Sequence, residues 1–190
     1  MTSPFDSRPI IVALAGPNGA GKTTFYDTYL EAAGLRFVNA DALAQELEVD
    51  AYEAAELADH LRKALVEQRE SFVFETVFSD PVGDKLEFLR HASTLGYTVV
   101  LCFIGLDSPE LSDERVAMRV LQGGHDVPAE KLLARYPRTL ENLARAIREL
   151  PQVLVFDNSD LGHPFRKVAE FDRGAPTVLN HPLPGWLPWS

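Results

Sequence analysis

The chain has 190 residues, 46% of them hydrophobic, which suits one domain with a buried core. Its 28 acidic residues outnumber 18 basic ones for a formal net charge of −10, an acidic surface that argues against a nucleic-acid partner. No stretch approaches the roughly 18 consecutive apolar residues of a membrane span, and "MTSPFDSRP" lacks the basic-then-apolar order of a signal peptide, so the expectation is a cytoplasmic protein with no membrane partner.

"PIIVALAG" (9–16) is a continuous apolar run ending in glycine, which predicts a strand buried on both faces. "KTTFYDTYLEAAG" (22–34) predicts a helix stopped by Gly34, and "LRFVNAD" (35–41) a second strand ending at Asp41. In "AYEAAELADHLRKALVEQRE" (51–70), Leu57, Leu61 and Leu65 recur at helical spacing, the stripe of an amphipathic helix. "SFVFETVFS" (71–79) reads as a third strand with Glu75 and Thr76 near its end. "DKLEFLRHASTLG" (84–96) reads as a helix closed by Gly96. "YTVVLCFIGL" (97–106) is the strongest strand and carries the single cysteine, Cys102, expected as a buried reduced thiol. Two helices are predicted across 108–121 and 128–149, separated by "QGGHDVP", and "QVLVFDNS" (152–159) is a last buried strand.

This alternation predicts an α/β fold, a parallel sheet of about five strands with helices on both faces. The proline-rich tail, about 171–190, carries both tryptophans and is expected to form an edge hairpin and an irregular cover over an apolar surface. With no internal repeat, residues 1–190 read as one domain.

Gly16, Gly21, Lys22 and Thr23 satisfy G-x-x-x-x-G-K-[ST] between a strand and a helix, the context this P-loop NTPase motif requires. The segment Gly16, Pro17, Asn18, Gly19, Ala20, Gly21, Lys22, Thr23 and Thr24 is therefore assigned to a nucleoside triphosphate, ATP being the expected one. The glycines let backbone N–H groups turn toward phosphate oxygens, Lys22 supplies a point charge, and the Thr23 hydroxyl is the expected Mg²⁺ ligand. Asp41 and Glu75 follow the second and third strands, and parallel strands share one C-terminal edge, where the phosphate loop also lies. A carboxylate there either ligates Mg²⁺ or accepts the proton of an acceptor hydroxyl; for Asp41, capping of the next turn is the alternative.

Seven of the eighteen basic residues fall at Arg115, Arg119, Lys131, Arg135, Arg138, Arg145 and Arg148. Arg115 and Arg119 share a helix face, as do Arg135 and Arg138, and a flap over about 108–149 would bring some of them onto the phosphates. The alternative is a solvated helix face, the reading preferred for Arg145 and Arg148. His125 reads more naturally as a hydrogen-bonded loop histidine than as a phosphate contact.

"GPNGAGKTT", "NAD" (39–41), "FETVFS" (74–79), "RVAMRVLQGGHDVPAEKLLARYPRTLENLARA" (115–146) and "DNS" (157–159) together resemble the zeta-toxin family of P-loop kinases over about Ile10 to Ser159. The resemblance implies an adenylate-kinase-like fold with a helical lid, ATP and Mg²⁺ as cofactors, and phosphorylation of UDP-N-acetylglucosamine or a related nucleotide sugar. It also implies a toxin blocked by a small antitoxin protein. By position it makes Asp41 the catalytic base and Lys22 the phosphate-loop lysine. Glu75, Thr76 and Ser79 become acceptor-side residues, while Arg119 and one of Arg135 or Arg138 become lid arginines. Asn158 falls where related kinases approach the adenine.

Two other functions stay open. One is a non-toxic metabolite or antibiotic kinase with the same core. The other is a nucleotide-gated ATPase or binding module without phosphoryl transfer, for which "LQGGH" (121–125) superficially suggests a transport-type signature. A transport module would need an apolar strand ending in Asp-Glu soon after that loop.

Overall fold

The computed structural model describes residues 4–121 and 127–189; His125 lies outside them. Strand β1 (Ile10–Ala15) is buried at all six positions, as an unbroken apolar run demands, and takes the centre of the sheet. It pairs in parallel with β3 (Phe72–Thr76) and β4 (Thr98–Gly105). β2 (Arg36–Val38) joins β3, and β5 (Gln152–Asp157) joins β4, both in parallel. The sheet order is β2-β3-β1-β4-β5-β6-β7, seven strands where about five were expected. The added pair is antiparallel: β6 (Arg166–Asp172) runs back along β5 and turns into β7 (Ala175–Leu179).

Helices cover both faces. Odd residues Ile11, Ala13 and Ala15 of β1 face α3 (Ala51–Glu67), α4 (Asp84–Thr94) and α6 (Ala129–Glu149); even residues Ile10, Val12 and Leu14 face Phe25 and Leu30. Phe25 ends α1 (Lys22–Phe25), which continues as a wider turn through Leu30 and stops at Gly34, whose φ of 63° only glycine adopts readily. α5 (Pro109–Leu121) adds Leu111 to that face.

Two local readings change. The segment after β2 is a helix, α2 (Ala40–Leu47), started by Asn39, whose side chain accepts from the N–H groups of Asp41 and Ala42. The buried face of α3 is Ala54, Ala58, Arg62 and Leu65, while Leu57 is 37% exposed. Alanine's small side chain lets that helix sit close to the sheet and leaves space beside it. The tail forms the expected edge hairpin, and its Trp186 ring lies flat against Gly105, where any Cβ would collide with it. Among the described residues no helix is long and apolar enough to cross a membrane.

The lid-side helix α6 is held by polar pins. Tyr136 donates to the Leu106 carbonyl at 2.6 Å, Thr139 to Val77 O at 3.0 Å, and Asn142 to the carbonyls of Phe78 and Asp80. Burial pushes the Tyr136 phenol up to about 12 from the usual 10.0. The native state therefore holds that proton where the unfolded chain has released it, and this stability is lost as pH climbs from 10 to about 12. Tyr136→Phe should flatten the alkaline fall in urea-unfolding free energy over that window, at a cost of about 1 kcal/mol at pH 8 for the missing hydrogen bond.

Candidate active site

The turn after β1 takes backbone shapes that explain its glycines. Gly16 has φ 145°, and a Cβ there would run into the Ile104 carbonyl; Gly19 and Gly21 have φ of 72° and 85°. Two side chains from neighbouring elements fasten the loop. Ser112 of α5 donates to Asn18 O at 2.6 Å, and Asn158, 5% exposed, donates to Ala20 O at 2.9 Å while accepting from Phe165 N–H. The Asn158 amide, expected near an adenine, is thus committed to the loop's own backbone. Phe165 and the Asn158 amide also crowd Gly21.

Lys22, 6% exposed, donates to the carbonyls of Gly16 and Pro17 and lies 3.7 Å from the Glu75 carboxylate. Burial pulls its pKa below the usual 10.5, with Glu75 and then Asp41 pulling the other way and Arg119 adding to the fall. Glu75 accepts from the Thr23 hydroxyl at 2.9 Å and from the Asn39 amide at 3.1 Å. Asn39 therefore performs two tasks, capping α2 and steadying Glu75. Asp41 does not cap, because the Asn39 oxygen already holds those N–H groups.

These groups open on a cavity of about 590 Å³ at the C-terminal edge of the parallel strands. Asn18, Lys22, Asp41, Glu75 and Thr76 line it on the sheet side, with Arg119 and Arg135 on the lid side. Thr76 accepts from Phe78 N–H, which leaves its hydroxyl proton available. Arg138 and Ser79 are not among the lining residues, and Thr24 is exposed on α1. Lys131, four residues before Arg135, lines the cavity too, as do Arg62 and Lys85, which sequence reasoning did not single out. The available signal for Arg62 was an arginine set among the alanines of the α3 face.

A divalent ion fits the donor set. Thr23 Oγ1 and the Glu75 carboxylate are hard oxygen donors in mutual contact, the pairing Mg²⁺ accepts when phosphates and water complete its shell. The Asn18 amide oxygen is buried with no hydrogen-bond partner among the described residues, a polar group of the phosphate loop left over beside the cavity.

The profile of the family described as AAA domain matches residues 11–143. No curated protein sequence matches the chain significantly. Among solved structures, the AvrRxo1-ORF1:AvrRxo1-ORF2 complex with sulphate ions superposes with a TM-score of 0.69 at 22% identity, covering 90% of this chain and 61% of that one. The AvrRxo1-ORF1:-ORF2 structure with ATP gives 0.67 at 23% identity, over 90% and 60%. The PezAT chromosomal toxin-antitoxin system of Streptococcus pneumoniae gives 0.64 at 18% identity, over 90% and 74%. The chain thus spans about three fifths of the AvrRxo1 chains it resembles, and the likeness is one of fold.

Proposed function

This chain belongs to the AAA domain family, and from that premise we propose that it is an ATP- and Mg²⁺-dependent kinase that phosphorylates a hydroxyl of a small molecule, a nucleotide sugar such as UDP-N-acetylglucosamine being the first acceptor to test. The observation that carries the reading is one cavity in which the phosphate-loop lysine, a carboxylate tied to the Thr23 hydroxyl, and the separate carboxylate of Asp41 face a common space. A neighbour of the same fold described with ATP supports the choice of nucleotide.

The residues divide the work as follows. Loop amides and Lys22 grip the triphosphate. Thr23 and Glu75 would hold Mg²⁺, which when bound neutralises phosphate charge and orients its oxygens. Asp41, left free by the Asn39 cap, accepts the proton of the acceptor hydroxyl as that oxygen attacks the γ-phosphorus and ADP departs. Arg119 and Arg135 meet the negative charge that spreads over the transferring group. Thr76 positions the acceptor, and Asn158 holds the loop in shape. Where a transport-type module would need its strand, this chain has the helix Ala129–Glu149, which disfavours that alternative.

A toxin role and a small antitoxin partner are part of the same proposal, supported by a neighbour described as a toxin-antitoxin system. A non-toxic metabolite kinase with the same core is the second reading, since the AvrRxo1 and PezAT neighbours share the fold at no more than 23% identity. Incubation with ATP, Mg²⁺ and UDP-N-acetylglucosamine should yield a phosphorylated sugar nucleotide, and induced expression should arrest growth. Transfer to another metabolite without growth arrest would favour the second reading.

A further inference from the structure

The charges lining the cavity are more numerous than the triphosphate and lid account for. Of six cationic side chains on its wall among the described residues, four come from the phosphate loop and the lid helices: Lys22, Arg119, Lys131 and Arg135. The other two, Arg62 on α3 and Lys85 on α4, belong to elements that contribute nothing to either.

Arg62 is 4% exposed, with its guanidinium over the Phe74 ring at 5.0 Å from the centroid. Its Nη2 donates to Asp59 at 2.6 Å, while Nε is buried without a partner and Nη1 makes no hydrogen bond among the described residues. Asp59 is not Arg62's alone: Lys63 reaches it at 2.8 Å and Lys85 at 3.3 Å. Three cations share one carboxylate, a net of two positive charges with the buried guanidinium included. A structural tie between α3 and α4 needs one such pair. Holding a guanidinium out of water with most of its donors unused is costly unless an anion completes it. A guanidinium with a nearby ammonium matches the geometry and double charge of a phosphate group.

We propose that Arg62 and Lys85 form a second oxyanion site on the α3–α4 wall of the cavity, which seats a phosphate group carried by the phosphoryl acceptor. The proposal rests on the kinase reading above and deepens it. The acceptor is a hydroxyl compound that already bears phosphate, and neutral or cationic alcohols, including amino-sugar antibiotics, are rejected. The alanines of α2 and α3 that line the same space, Ala44, Ala51, Ala55 and Ala58, leave room for the body of such a molecule between this site and Asp41.

The test uses inorganic phosphate as the probe, followed by ³¹P NMR, with the whole protein first saturated with Mg²⁺ and β,γ-imido-ATP so that the phosphate loop is filled. Phosphate should bind the loaded protein at one site. Arg62→Met, which keeps the length of the stem over Phe74, should weaken that binding about ten- to a hundredfold, as for loss of a charge-assisted hydrogen-bonded pair, while the nucleotide signals stay bound. Lys85→Met, at a partly exposed position, should weaken it in the same direction and decides the matter if Arg62→Met does not fold. Absence of phosphate binding to the loaded wild type, or binding unchanged in the folded variants, overturns the proposal. Failure of the imido-ATP itself to bind strikes instead at the nucleotide reading, and the Arg62 dependence of phosphate binding to the empty protein then still decides this one.

Discussion

Asp41→Asn should lower kcat by about 10²- to 10⁴-fold, the range for removing a positioned general base, and leave ATP affinity unchanged. The asymmetry follows from where Asp41 stands. It sits in the first turn of α2 with its backbone N–H held by Asn39, so exchanging carboxylate for amide disturbs neither the cap nor the fold. Its side chain lines the same cavity as Lys22 and its charge acts on that ammonium, yet Lys22 is held directly by two loop carbonyls and Glu75. Losing Asp41 therefore removes a proton acceptor without dismantling the phosphate grip. Steady-state kinetics with a saturating acceptor, beside equilibrium titration of ATP, separates the two quantities. An equal fall in both would make Asp41 a nucleotide-binding residue.

Lys22→Met should cost about 10²- to 10³-fold in kcat/KM for ATP, comparable to losing one preorganised donor on developing charge. Its effect on stability should show a pH signature. Burial lowers the Lys22 pKa beneath 10.5, so folding disfavours the ammonium form. Between the lowered native value and 10.5 the unfolded chain binds more protons, so the wild type gains stability as pH rises through that window. The methionine variant has no such gain. Urea unfolding at pH 7.5 and at pH 10 should show the wild type improving relative to Lys22→Met. A constant difference would mean that the native ammonium is as well solvated as the unfolded one.

The parts of this site that were legible in the sequence are those where chemistry and backbone geometry use the same residues. The phosphate loop is one case: Gly16 is forced by its approach to Ile104 O, and the glycine pattern carries that constraint. The positions of Asp41 and Glu75 follow from two apolar runs and the shared edge of a parallel sheet. What escaped depends on contacts between distant segments. Asn39 next to Glu75, 36 residues apart, leaves no trace in local periodicity. The edge hairpin was expected from about 171, but its first strand starts at Arg166, where polar residues interleave with Val168, Ala169 and Phe171, a weaker signal than the buried runs before it. On α3, Leu65 is buried and Leu61 packs against the core as expected, but Leu57 is exposed and Ala54, Ala58 and Arg62 complete the buried face. The reason is that leucines outweigh alanines in a hydrophobic pattern, whereas close packing selects the alanines. Arg62 was hidden by the same weighting.

The most direct measurement follows γ-labelled ATP and Mg²⁺ added to the protein with a small-molecule extract. The expected result is label transferred to at least one metabolite through an oxygen ester, with transfer nearly abolished by Asp41→Asn although that variant still binds ATP. Label recovered only as inorganic phosphate, at the same rate in wild type and variant, would contradict phosphoryl transfer and leave a protein that holds and hydrolyses its nucleotide.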